Sequence, residues 1–148
     1  MESKQPTAFT IGHSNHPIWY FRFKLIQNEI DVLVDCRTFP QSRFASQFNR
    51  KALQAALETK HIKYLYKGKN LGGRGINENH EATVDELSDL IRTGLRVCFM
   101  CSEASPEKCH RQTMLEPSFK KRGIKFIHII CDDAPKKRSK PKQPRLFP

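Results

Sequence analysis

At 148 residues, 38% hydrophobic and 28% charged, the chain has the size of one domain and can bury roughly two-thirds of its unfolded surface in a single core. The formal charge of +11, from 26 basic and 15 acidic residues, suits a polyanionic partner whose neutralised phosphates release counterions, and suits a merely soluble surface equally well. There is no apolar run of about 18 residues and no signal-peptide pattern in "MESKQPTAF", so neither a membrane partner nor secretion is expected and the cytoplasm is the expected location. Five cysteines, an odd count, then read as reduced thiols better than as a disulfide framework.

In chain order, "TAFTIG" (Thr7 to Gly12) reads as the first strand. A helix follows in which Trp19, Phe23, Ile26 and Ile30 recur at helical spacing, with Pro17 suited to its first turn. "DVLVD" is the second strand, Leu53, Ala56 and Leu57 mark the second helix, and "IKYLY" is the third strand. "TVDE" (Thr83 to Glu86) has the form of a capping box ahead of Leu87, Leu90 and Ile91, and Gly94 stops that helix. "RVCFM" is the fourth strand, Ser105 and Pro106 begin the fourth helix, and "IKFIHI" is the fifth strand.

Strands alternating with helices, each strand an apolar run, predict a single-domain α/β three-layer sandwich: a mainly parallel sheet of about five strands with helices on both faces. The domain is expected over residues 1–133, as a monomer. The Pro/Lys/Arg-rich tail over 134–148 holds six of the basic residues, leaves the body +5, and lacks apolar periodicity, so it is expected to be disordered. The connections after the second and third strands are long, and long loops in compact domains are often functional.

Ligands of open parallel sheets bind beyond the carboxyl ends of the strands. The five exits here carry His13; Asp35, Arg37, Ser42 and Arg43; Tyr66, Gly72, Gly73 and Arg74; Cys101 and Glu103; and His128 with Asp132. Asp35, following "VLV", reads either as a desolvated carboxylate that orients water or as a structural partner of Arg37. His13 reads as a donor to a leaving group or phosphate, or as a structural histidine; His128 reads better as a satisfied core residue. "NLGGRG", with Lys69 and Arg74, offers backbone N–H groups to an anion, but its spacing matches no nucleotide-binding glycine motif. Phe39, Phe44 and Phe48, interleaved with Arg37, Arg43 and Arg50, resemble a surface for stacked bases, although at least two of those rings are equally expected in the core.

"CSEASPEKCHR" (Cys101 to Arg111) admits three readings. As a metal site, Cys98, Cys101, Cys109 and His110 fail because Cys98 and Cys101 alternate to opposite strand faces. As a nucleophile loop, Cys101 lies too far from Arg111 for a tight anion turn, although a rhodanese-like sulfur transferase stays open as an alternative. As a site wall, Glu103 faces the rim, and His110 and Arg111 reach an anion or a leaving base from the first turns of a helix. No metal or cofactor is called for.

"IGHSN", "LVDCRTFPQSRF…FN", "YLYKGKNLGGR" and "FMCSEASPEKCHR…HI", in this order from Thr10 to Ile129, resemble the family catalogued as domain of unknown function 488. Its usual pattern has Val at Cys36, which marks that thiol as core. The resemblance carries over His13, Asp35, Arg37, Pro40, Ser42, Arg43, Gly72, Gly73, Arg74, Cys101, Glu103, Cys109, His110 and Arg111. It implies a DNA partner and similarity to glycosylases that excise modified bases, in repair or in defence against phage. Such an enzyme flips a base from the stack and holds the strained backbone with cations. Asp35 or Glu103 would direct water at an oxocarbenium-like sugar while His13 or His110 attends the leaving base. A non-catalytic nucleic-acid-binding module is the remaining alternative.

Overall fold

The computed structural model describes residues 5–73, 77–103 and 114–131. Its strands are β1 (Thr7–Gly12), β2 (Val32–Asp35), β3 (Lys63–Tyr66), β4 (Val97–Cys101) and β5 (Lys125–His128). Its helices are α1 (Ile18–Gln27), α2 (Arg50–Glu58), a single turn α3 (Gly68–Leu71), α4 (His80–Arg92) and α5 (Glu116–Lys120), with a 3-10 turn at Ser46–Phe48. The sheet has order β3-β2-β4-β1-β5 and every pairing is parallel, the architecture expected from the sequence.

Period-two alternation divides the strands between two cores. Ala8, Val32, Val34, Val97, Phe99 and Phe126 pack with Val84, Leu87 and Ile91 of α4 and Phe119 of α5 on one face. Phe9, Ile11, Leu33, Cys98 and Met100 pack with Phe21 and Leu25 of α1 and with Leu53 and Leu57 of α2 on the other. Burying both faces is what makes each strand a continuous apolar run.

Two local expectations are corrected. Trp19, Phe23 and Ile26 do lie on one stripe of α1, but it is the solvent stripe, with Trp19 58% exposed; Phe21 and Leu25 face the sheet. Apolar residues on both sides of a helix leave periodicity without a preferred face. "TVDE" is not a cap, because α4 begins a turn earlier at His80, after Asn79 with φ 50°, and Thr83 is buried inside the helix.

Gly94, at φ 101°, ends α4 as expected. Glu29 and His61 do the same for α1 and α2 in left-handed conformations of φ 54° and 59°, with Ile30 N–H bonding Leu25 O and Ile62 N–H bonding Leu57 O. This is the usual αL helix ending made without glycine, and hence invisible to a search for glycine. The Ser105–Pro106 helix start and the basic tail lie outside the described residues. Among the described residues, no helix is long and apolar enough to cross a membrane.

Candidate functional site

The route β1-α1-β2-α2-β3 runs over one face of the sheet, and α4 and α5 lie over the other. β4 therefore stands between β1 and β2, whose connections lie over the opposite face, and chains part at its exit, where α/β proteins place ligands. A pocket of about 730 Å³ opens there, lined by residues of three exits: His13 to Asn15, most of Arg37 to Ala45 but not Pro40 or Arg43, and Cys101 to Glu103, with Gly73 at its edge. The exits are laced beyond the strands by His13 N–H to Cys101 O (2.9 Å), Ser14 N–H to Ser102 O (2.8 Å) and Cys36 N–H to Met100 O (2.9 Å).

Asp35 and Arg37 form the floor as one unit. Arg37 Nε–H and Nη2–H donate to Asp35 Oδ1 and Oδ2 at 2.9 and 2.8 Å, and the Arg37 backbone N–H adds 3.1 Å to Oδ1. Tyr64 Oη–H fills Oδ2 at 2.5 Å. Tyr64 pairs with Leu33 in the β2-β3 register, one pleat below Asp35 on the same side, so its phenol reaches up to the carboxylate. Burial, then the hydrogen bond to Asp35, pushes that phenol well above its usual range. Asp35 is fully buried and does not line the pocket. Its oxygens already hold four donors, so the carboxylate takes the role of Arg37's partner, the second of the two readings its sequence position left open.

His13 supports the other side of the guanidinium. Its Nδ1–H donates to Ser14 O at 2.6 Å, which fixes the tautomer and leaves Nε2 as an acceptor facing Arg37 Nη1 at 3.4 Å. The ring stacks on Phe48 at 4.5 Å. Burial, with the Arg37 charge adding to it, lowers its pKa to about 4. His13 is therefore neutral at pH 7, and a proton on Nε2 would point at a cation, which argues against its delivering one to a leaving group.

The same shift has a thermodynamic sign. Between about 4 and 6.5 the unfolded chain binds the His13 proton and the folded chain does not, so the stability contributed by the neutral ring is complete above 6.5 and is lost as pH falls towards 4. At about 1.4 kcal/mol per unit the loss is roughly 3 kcal/mol. We expect the urea unfolding free energy of the wild type to fall by about that much more between pH 7 and 4 than that of a His13→Gln variant.

The loop after β2 carries the pocket's outer wall. Ser42 Oγ accepts N–H bonds from Phe44 and Ala45, both at 3.1 Å, and Ser42 N–H donates to Asn49 Oδ1 at 2.7 Å. Gln47 Nε2 ties the loop to the β1 exit through His16 O at 2.8 Å. Phe39 and Phe44, 65% and 87% exposed, line the pocket. Phe48 does not serve as the expected stacking surface: fully buried behind His13, it has no face to offer a base. Arg43 is exposed next to the lining, and Lys69 is exposed on α3, outside the lining.

Gly72 is needed for close packing, not for an anion contact: a Cβ there would overlap Thr38 Oγ1 and Gly68 O. Gly68, which the sequence did not single out, would collide with the Arg37 carbonyl oxygen and the Tyr66 ring. Because one obstacle is backbone, Gly68→Ala is expected to cost about 1–3 kcal/mol, read as a lowered thermal midpoint.

Glu103 is exposed and supplies the carboxylate of the described lining. Cys101 is disulfide-bonded, whereas Cys36, Cys98 and Cys131 are thiols. The all-reduced expectation is thus corrected at Cys101, and a sulfur transfer through it would need a thiolate this state does not hold. Arg74, Cys109, His110, Arg111 and Asp132 lie outside the described residues. His128 is satisfied by Thr10 Oγ1 (2.6 Å) and Glu116 Oε1 (3.1 Å). Among the described residues no group of three or more His, Cys, Asp or Glu could hold a metal ion.

Ser14, Asn15, Thr38, Gln41 and Ser102 also line the pocket and were not singled out from sequence. All five nevertheless stand in the stretches that carry the family resemblance, Ser14 and Asn15 in "IGHSN" directly after a strand end; the Ser14 φ of 43° places backbone strain at the floor.

Fold and pocket together define a doubly wound α/β protein with a ligand-sized cleft at the carboxyl rim of its sheet. The chain belongs to the family "Domain of unknown function DUF488", whose pattern matches residues 20–80 and 74–117. No curated protein and no solved structure matches the chain.

Proposed function

We propose that this protein acts on DNA as a monofunctional glycosylase, receiving an extruded base in the β1/β2/β4 pocket and hydrolysing its N-glycosidic bond to leave an abasic site. The observation that carries this reading is the meeting in one cleft of two exposed phenylalanines, a buried arginine and a single described carboxylate. A base out of its stack needs an aromatic or apolar wall, which Phe39 and Phe44 supply. A volume of about 730 Å³ lies in the range of small-molecule sites. The charge of +11 suits a phosphate backbone running past the cleft.

In this reading Glu103, which lines the pocket, takes a proton from water as the water attacks the sugar carbon. Asp35, sealed below the floor, holds Arg37 in place and makes no contact with substrate. A role in repair or in defence against foreign DNA would follow from the choice of base. The reading is tested by incubating the protein with DNAs carrying natural and modified bases, followed by alkali. Strand breaks at one class of base support it, and background cleavage on every substrate rejects it.

A further inference from the structure

Resting on the pocket being a base site, we infer that it selects a neutral base through a carbonyl oxygen, with Arg37 as the reading fork, and keeps the phosphates outside on Arg43 and Arg50. A guanidinium has five N–H donors. Two of Arg37's go to Asp35 and one faces His13 Nε2. One N–H on each terminal nitrogen has no partner among the described residues, in a side chain only 4% exposed that lines the pocket. Two donors held in one fixed plane can meet the lone pairs of an acceptor edge.

The fork carries little net charge. Asp35 neutralises Arg37 at 2.8 Å, His13 is neutral, and Glu103 adds a negative charge to the described lining. A phosphate entering here would lose its hydration against an already paired cation and meet a carboxylate. A carbonyl oxygen gives up far less hydration and finds two donors. Among the described residues, positive charge with no carboxylate partner stands further out. Arg43 and Arg50 are exposed, and the Arg50 guanidinium is 4.6 Å from the centre of the Tyr66 ring, whose hydroxyl donates to Thr38 O in the pocket wall at 2.8 Å.

The chemistry follows. As the bond from C1′ to the base nitrogen breaks, its electron pair passes to the base and spreads onto the carbonyl oxygen, where Arg37 holds the developing charge. Water bonds C1′ and gives its proton to Glu103. The base anion then takes a proton from the Glu103 carboxylic acid, which restores the carboxylate. Departure as a stabilised anion needs no acid from His13, and it favours oxo-bases of the uracil, cytosine and guanine type over adenine, which has no carbonyl.

The test uses the full-length protein and millimolar uridine, guanosine, adenosine and inorganic phosphate, with binding followed by NMR at the Arg37 side chain and the Phe39 and Phe44 rings. Uridine and guanosine are expected to bind at least about tenfold tighter than adenosine, the loss of a hydrogen bond to a charged group being worth about that factor. Phosphate should not compete with them, and Arg37→Lys should erase the discrimination. Adenosine binding equally well, competition by phosphate, or no nucleoside binding at all overturns the inference. Because Arg37→Lys disturbs a buried pair, the wild-type ratio decides alone if that variant does not fold. Nucleosides bound in the expected order, together with DNA that never acquires abasic sites, would reject the glycosylase reading and leave the carbonyl fork standing.

Discussion

Asp35→Ala is expected to lower the unfolding free energy by about 3–5 kcal/mol, a large part of the stability of a small domain. The substitution leaves the Arg37 guanidinium, 4% exposed, buried without its counter-charge, and strips Tyr64 Oη of the acceptor it reaches at 2.5 Å. An unpaired buried cation and an unsatisfied, partly buried hydroxyl each carry a cost of desolvation with nothing in return. Asp35→Asn, which keeps the shape and the Tyr64 contact but loses the charge, should fall between the variant and the wild type. Denaturant titration of the three proteins at pH 7 checks the order, and a loss within about 0.5 kcal/mol for Asp35→Ala would mean that the pair is not what holds the floor.

Glu103→Gln should behave in the opposite way. The residue is exposed at the rim, so stability should stay within about 0.5 kcal/mol of wild type. Removal of the proton acceptor should lower the single-turnover rate of base release by about 10²–10⁴-fold, the range of a general base. The two carboxylates thus separate: Asp35 is read by denaturation, Glu103 by rate. A Glu103→Gln protein that releases base at the wild-type rate would leave Glu103 with no part in activating water.

The strands and their exits were legible because both faces of a parallel sheet are buried, so each strand prints a short apolar run and the polar residue that follows marks the rim. Strand order was not legible. Nothing local tells that β4 inserts between β1 and β2, and that insertion is what brings Glu103 opposite His13 and Arg37. The buried stripe of α1 was misread because Trp19, Phe23 and Ile26 are as apolar as Phe21 and Leu25, and only the sheet decides between them.

Asp35 is the instructive case at the site. Its sequence context permits either a catalytic carboxylate or a structural one, and the choice depends on Tyr64, which no local pattern connects to it. Only the β2-β3 register sets that phenol one pleat below and completes the carboxylate's partners. Phe48 went unread for a similar reason: three phenylalanines at loop spacing look alike until His13 stacks on one of them.

The proposed excision of a base, with Glu103 as the working carboxylate, is read most simply from its two products. Its most direct test is to incubate DNA carrying modified oxo-bases with excess wild-type or Glu103→Gln protein and to quantify free base by mass spectrometry. Free base and an equal amount of abasic sites are expected from the wild type, with release slowed at least about 100-fold in the variant. Free base from neither protein, or equal release from both, would contradict it.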